Sequence, residues 1–376
     1  MQSMDAKATA YSLAYSTAAQ WSEAVQECLR QLGSAVDGAT IGFIYATDFF
    51  ANRMSDMVRM LQEESGVQNW VGTVGYAVWA NLDVFQDAPA LVLLCANWTP
   101  DRFELLPAVR VPDAEQLQRL LHADSGQSYR MALLHADPRN LFIPEMLQML
   151  AEQRPAMEQA GGITSSRYHS VQVAGSAWNG GLSGVLLQGD GAVAVGVAQG
   201  AREFGEAHEI TACEGNVILT LDGEPALDVF QREVGDLLMR DPSRIPGFIF
   251  AGLDLPNGDY LVRDILGLDM QQRLLAVGEY VEAGTRIHFC RRDGRAAWDD
   301  LEAMVRITRR SLSRPARAGI YIACVGRGEH VFGSRTAELQ VLRGELGDIP
   351  IIGFAAAGEI AHGRLYGYTG VLVLFG

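Results

Sequence analysis

Short apolar runs recur along this chain, and most are separated by segments with helical spacing. TIGFIYAT (40–47), ALVLLCAN (90–97), MALLHAD (131–137), AGIYIA (318–323) and GVLVLF (370–375) are too short for ordinary helices. Runs of that length read as strands buried in a core. Between them, WSEAVQECLRQLG (21–33) places apolar residues at helical spacing, with Ser22 as a candidate N-cap and Gly33 as the stop. Further helices are expected at about 51–64, 113–122, 141–153, 296–312 and 334–345. WVGTVGYAV (70–78) reads as one strand in which valines interleave with Gly72 and Gly75. The spacing is uneven and several strands look hairpin-linked. That favours an α/β fold of two modules, layered sandwiches of mixed sheets covered by helices, over a purely parallel array.

A chain of 376 residues is long for one domain. A new unit starts with EITACEGNVILTLDGEPALDVF (209–230), so the boundary is placed near residue 205. The N-terminal strand and helix region, 1–34, joins a first module at 35–205, and a second module occupies 206–376. No short-period repeat and no low-complexity tract is apparent.

Lys and Arg number 30 against 45 Asp and Glu, a net charge of −15. So acidic a surface repels phosphate backbones and anionic membranes, which sets nucleic acid and membrane aside as partners. The five cysteines, at 28, 95, 213, 290 and 324, form no CxxC. Their spacing suits reduced thiols in the cytoplasm, not a disulfide framework or a zinc site. The N-terminus lacks the apolar core of a signal peptide, and no run approaches the roughly 20 apolar residues of a membrane span.

Most catalytic signatures are missing. There is no GxxxxGK[ST], no GxSxG and no HExxH, and VGRGEH lacks the third glycine of a dinucleotide fingerprint. CVGRGEHVFG (324–333) is the segment richest in reactive groups. Cys324 is a candidate nucleophile for a cysteine-dependent hydrolase or transferase, with Arg327 lowering its pKa and His330 as base. The favoured reading is a small hydrophobe at a strand end. Arg327, between Gly326 and Gly328, suits recognition of a carboxylate, because a guanidinium donates two parallel hydrogen bonds. Glu359, after Gly358, either pairs with Arg327 or binds a ligand ammonium, and the two readings stand level. Glu359 and His362 stand at metal-ligand spacing, but their surroundings read as strand and turn. In GGITSSRYHS (161–170), Gly161, Gly162 and Ser165 give the texture of a ligand pocket. His169, and after it His208, are the candidates for an axial haem ligand.

These motifs resemble the FIST sensory domain. ITACEGNVILTLDGEPALDVF, YLVRDILGLD, CVGRG with VFG after it and IPIIGFAAAGEI follow the order of the family's C-terminal module. WVGTVGY, the GGITSS stretch and GAVAVGVAQG resemble its N-terminal module, and together they span about 35 to 375. The resemblance implies a non-enzymatic sensory protein that binds a small ligand, an amino acid for example, and signals through a separate partner. Some stand-alone members are haem-containing nitric-oxide sensors that regulate histidine kinases. That implies haem b as a cofactor and a histidine kinase as a partner in the alternative reading.

Overall fold

The computed structural model describes residues 11–122, 129–188, 192–235, 245, 247–255, 260–292 and 294–376. The side chains of His122 and His330 lie outside the described residues, so the proposed base His330 is not placed. The fold is mixed α/β. It divides into two compact units, one of Met1–Ala198 with Leu301–Gly376 and one of Gln199–Asp300.

The first unit is built three times over from one plan. The first repeat contains β1 (Tyr11–Ser16), β2 (Ile41–Thr47), β3 (Asn69–Gly75), β4 (Ala77–Ala80), β5 (Asp83–Gln86) and β6 (Leu91–Ala96). The second contains β7 (Phe103–Val109), β8 (Tyr129–Ala136), β9 (Glu158–Ile163), β10 (Gln172–Ala174), β11 (Ser176–Trp178) and β12 (Leu182–Gln188). The third opens with β13 (Val193–Ala198). Then the chain leaves for the second unit, made of β14 (Arg202–Glu214), β15 (Val217–Leu221), β16 (Glu224–Pro225), β17 (Ile249–Asp254), β18 (Tyr260–Asp269), β19 (Leu274–Val277) and β20 (Arg286–Arg291). The third repeat resumes with β21 (Ala318–Cys324), β22 (Ile351–Ala356), β23 (Glu359–Ala361), β24 (Arg364–Tyr366) and β25 (Gly370–Phe375).

Strand orders show the repetition directly: β1-β6-β2-β3-β10-β11, β7-β12-β8-β9-β23-β24 and β13-β25-β21-β22-β4-β5. In each sheet two central strands run parallel, as a strand–helix–strand crossover requires. The outer hairpin always comes from another repeat, so the three sheets are cyclically interlocked. At equivalent registers Ile44, Leu134 and Tyr321 face Gly72, Gly161 and Gly353. A Cβ on any of these glycines would lie 1.7, 1.9 and 1.7 Å from the carbonyl oxygen of that neighbour. Glycine is the residue that permits such an approach.

Both faces of these sheets are covered. Ile44, Ala46, Trp70 and Val74 pack in one cluster with residues of helices Trp21–Leu32 and Met54–Ser65. Leu134, Ala136 and Leu186 do the same with helices Ala114–His122 and Ile143–Gln153. The opposite faces meet at the centre, where Tyr45 stacks on Phe354 at 5.0 Å and its hydroxyl lies 3.0 Å from His135 Nε2. Complete burial on two sides is why β2 and β6 read as unbroken apolar runs.

Two sequence expectations change. WVGTVGYAV is two strands, because the chain turns at Tyr76 and carries β4 into another sheet. Ser22 is not the N-cap: the helix starts at Trp21, with Gln20 at the cap and no side-chain capping bond. By contacts, residues 301–376 group with Met1–Ala198.

The second unit is antiparallel throughout. Its ladder closes on itself because β14 pairs with β20 along its first part and with β15 along its second. Among the described residues, no helix is long and apolar enough to cross a membrane.

Candidate functional site

A cavity of about 240 Å³ opens at the carboxyl ends of the parallel strands β21 and β22. This is where ligands bind in open α/β sheets, because helix starts and loops diverge there. Its walls are Tyr321, Cys324 and the following loop, Glu338 on helix Ala337–Leu346, and Tyr76, Trp79 and Gln86 from the hairpin of the first repeat. The CVGRG segment therefore forms a cavity rim.

The loop is held tightly. Arg327 is 5 % exposed, and its Nε donates to Glu338 Oε1 at 2.9 Å. One terminal nitrogen donates to the carbonyls of Ala198 and Tyr368 at 3.2 and 3.1 Å. The Tyr321 hydroxyl donates to the same Glu338 oxygen at 2.6 Å, and the Trp79 indole donates to Tyr321 O at 3.1 Å. Arg327 is thus committed to Glu338, not to Glu359. Gly326 packs so closely on the Tyr368 ring that a Cβ would lie 2.5 Å from it. Gly328 has φ of 109° before helix Glu329–Phe332, a conformation that favours glycine. At the mouth, Arg335 faces Glu329 at 3.4 Å. The walls therefore present both signs of charge.

Behind Cys324 lies Glu359, fully buried. The Thr369 backbone N–H and hydroxyl donate to Glu359 Oε2 at 3.1 and 2.7 Å, and Oε1 has no aligned hydrogen bond. Burial pushes this carboxyl up to about 8, against the pull of Thr369, Arg327 and the nearby Cys324 thiol. Burial, and then the Glu359 charge, push Cys324 up to about 11, and Arg327 offsets this only weakly. Arg327 thus does little to lower this thiol, the effect on which the nucleophile alternative relied. His362 is exposed and turns to Glu158 at 3.1 Å, away from any shared site with Glu359. Among the described residues no cluster of three or more His, Cys, Asp or Glu is arranged to hold a metal.

The glycine-rich stretch serves packing. A Cβ on Gly162 would lie 2.8 Å from Ile322 and 2.9 Å from Ala356. Ser165 accepts from Tyr76 N at 2.8 Å and donates to Ala355 O, fastening the turn that begins the hairpin. The carbonyl of Gly358 accepts from Ile163 N at 2.8 Å. These residues sit behind the cavity wall and are not part of its lining.

A second concavity, about 430 Å³, lies at the corresponding place in the first repeat, with Asn52, Ser55, Arg139, His169 and Asn179 among its walls. His169 is exposed there among polar groups. His208 is buried in the second unit, with Nδ1 2.7 Å from Asp222 and Nε2 3.4 Å from Glu233. Haem needs an apolar slot and a ring nitrogen directed into it. Neither histidine, as placed, fits that role.

Sequence reading found the rim but missed Tyr76, Trp79, Glu338 and Thr369. Three of these come from other parts of the chain, and Trp79 and Glu338 carry no local motif. The available signal was the WVGTVGYAVW segment itself, whose tail becomes the cavity roof.

Residues 40–224 match the FIST N domain and residues 226–362 the FIST C domain. An uncharacterized protein of Mycobacterium tuberculosis is 28% identical over 341 residues, covering 85% of this chain and 87% of the relative. Another, from Mycobacterium bovis, is 26% identical over 350 residues, covering 88% and 87%. A solved structure described as PurLQS from Thermotoga maritima aligns over 97% of this chain and 72% of that one, at 11% identity and a TM-score of 0.23.

Proposed function

The chain belongs to the FIST family, whose N and C domains cover nearly all of it, and from that premise we propose that it senses a small zwitterion of amino-acid size. FIST domains are sensory domains, which suggests signal transduction and small-ligand binding. The observation that carries the finer reading is the cavity beside Cys324. At about 240 Å³ it lies below the roughly 300–1,000 Å³ of drug-sized sites. Its walls carry Glu329 with Arg335 at the mouth and Glu338 with Arg327 farther in. An ammonium and a carboxylate on one small molecule match that lining, whereas an ion of single sign leaves one wall opposed.

The roof suggests how binding leads to a signal. Tyr76 and Trp79 belong to a hairpin that reaches over from the first repeat to pair with β22. A ligand gripped by both would change how that hairpin sits on its host sheet, and a separate protein, a histidine kinase for example, would read the change. The test is a thermal-shift and calorimetry panel of amino acids and related zwitterions on the whole chain. A ligand at 100 times its Kd should add about 2.7 kcal/mol of stability. The reading fails if no member of the panel shifts the transition, or if the shift survives in Trp79→Ala and Arg335→Ala.

A further inference from the structure

Sensing by non-covalent contacts leaves Glu359 unexplained. A carboxyl fully enclosed by protein, with one oxygen lacking an aligned hydrogen bond, costs free energy and calls for a role. It stands close to Cys324, which forms part of the cavity wall: Thr369 joins them, its carbonyl accepting from Cys324 N at 3.0 Å and its hydroxyl donating to Glu359 at 2.7 Å. The backbone N–H groups of Gly326, at 3.4 Å, and of Tyr368 are directed at the sulfur. Such donors favour a thiolate when it forms. These are the parts of a nucleophile: a thiol facing an open cavity, backbone donors to its developing charge, and a proton acceptor behind it.

We propose that Cys324 adds covalently to an α,β-unsaturated carbonyl group of a ligand held in this cavity, with Glu359 taking and then returning the proton. The proposal rests on the reading of the cavity as the ligand site. The thiol proton passes to Glu359, and sulfur forms a bond to the β-carbon. The π electrons of the carbon–carbon double bond move to the α-carbon, which then receives the proton from Glu359. Nothing leaves and no outside oxidant or reductant is needed. This chemistry suits the site better than acyl transfer, because the backbone donors are spent on sulfur. The α-carbon lies next but one to the sulfur, so a single carboxyl can serve both transfers. Arg335 at the mouth matches a carboxylate carried by such a ligand.

N-ethylmaleimide, itself an unsaturated carbonyl compound, is the probe, with labelling followed by intact mass and peptide mapping of the whole protein across pH. Cys324 should react ahead of the buried Cys28, Cys95 and Cys290. Its rate should climb to pH of about 8 and then level, because the acceptor is then ionised. A thiol titrating alone near 11 would instead gain tenfold per pH unit throughout that range. Glu359→Gln should slow labelling about 100-fold and remove the plateau, and Glu359→Asp should restore part of it. An unlabelled Cys324, or the same rate and profile in Glu359→Gln, overturns the proposal. Should that variant not fold, the wild-type profile decides by the presence or absence of the plateau. Wild-type protein stabilised by amino acids but unlabelled at Cys324 sinks the covalent step and leaves the sensory reading standing. Labelling with the plateau, but no stabilisation by any zwitterion, upholds the covalent step and sinks the zwitterion.

Discussion

Two buried carboxyls of the first unit have opposite electrostatic fates. Asp137 immediately follows β8, and Glu359 opens β23, and neither exposes any surface. Asp137 accepts bonds from Arg139 N, Nε and a terminal nitrogen at 2.9, 3.0 and 2.8 Å, and from Gly180 N at 2.9 Å. Burial alone would raise it, but these donors hold it below the usual carboxylate range. Glu359 has Thr369 on one oxygen, and burial wins. By register, Thr47, Asp137 and Cys324 end equivalent strands. The repeats share a backbone plan, and the pairing of charge sets the two carboxyls apart.

The largest expected effect tests the plan itself. Gly353→Ala places a methyl 1.7 Å from Tyr321 O, and a loss above about 4 kcal/mol, or no folded protein, is expected. Gly344→Ala, with nothing within 4 Å in helix Ala337–Leu346, should instead add about 0.5–1 kcal/mol. Chemical denaturation of the pair checks this, and equal effects would break the claim that sheet contact fixes the glycine.

Next, Asp137→Ala should cost about 2–3 kcal/mol near neutral pH, because it strands several donors. That contribution exists above the unfolded carboxylate pKa and is lost as pH falls through the lower folded one. A denaturation midpoint unchanged by the substitution would mean the carboxylate is not holding the loop.

Glu359 should show the opposite sign. Its folded pKa is raised, so its favourable term is complete below about 4.5 and is lost as pH rises to about 8. Cys324, Arg327, Tyr321 and Thr369 are the groups around it. Stability should fall by up to about 1.4 kcal/mol per pH unit over that window, and Glu359→Gln should flatten the slope. Parallel slopes in the two proteins would remove the contrast with Asp137.

The smallest effect on stability belongs to Arg335→Ala. Its pair with Glu329 is exposed, so a change below about 0.5 kcal/mol is expected, while stabilisation by a zwitterion should disappear. A variant that still responds to ligand would move recognition away from the mouth.

Much of the architecture is legible in the sequence. The apolar runs at 41–47, 91–96 and 318–324 are strands because two covered faces leave no polar alternation to find. The stretches WVGTVGY, GGITSS and IIGFAAAG, quoted separately above, mark one position in three repeats. Their equivalence was hidden because each repeat lends its hairpin to another sheet and the third is interrupted by a whole unit. Helix spacing at 21–32 was legible, but its cap was not, since no side chain fills it.

The mixed α/β class, the acidic charge and the family followed from the sequence, because periodicity, charge and motif spacing are local properties. The partner of Arg327, the isolation of Glu359 and the roof of Tyr76 and Trp79 were decided only by the tertiary structure. Each depends on which side chains from distant segments share a low-dielectric space, and chain order does not encode that distance.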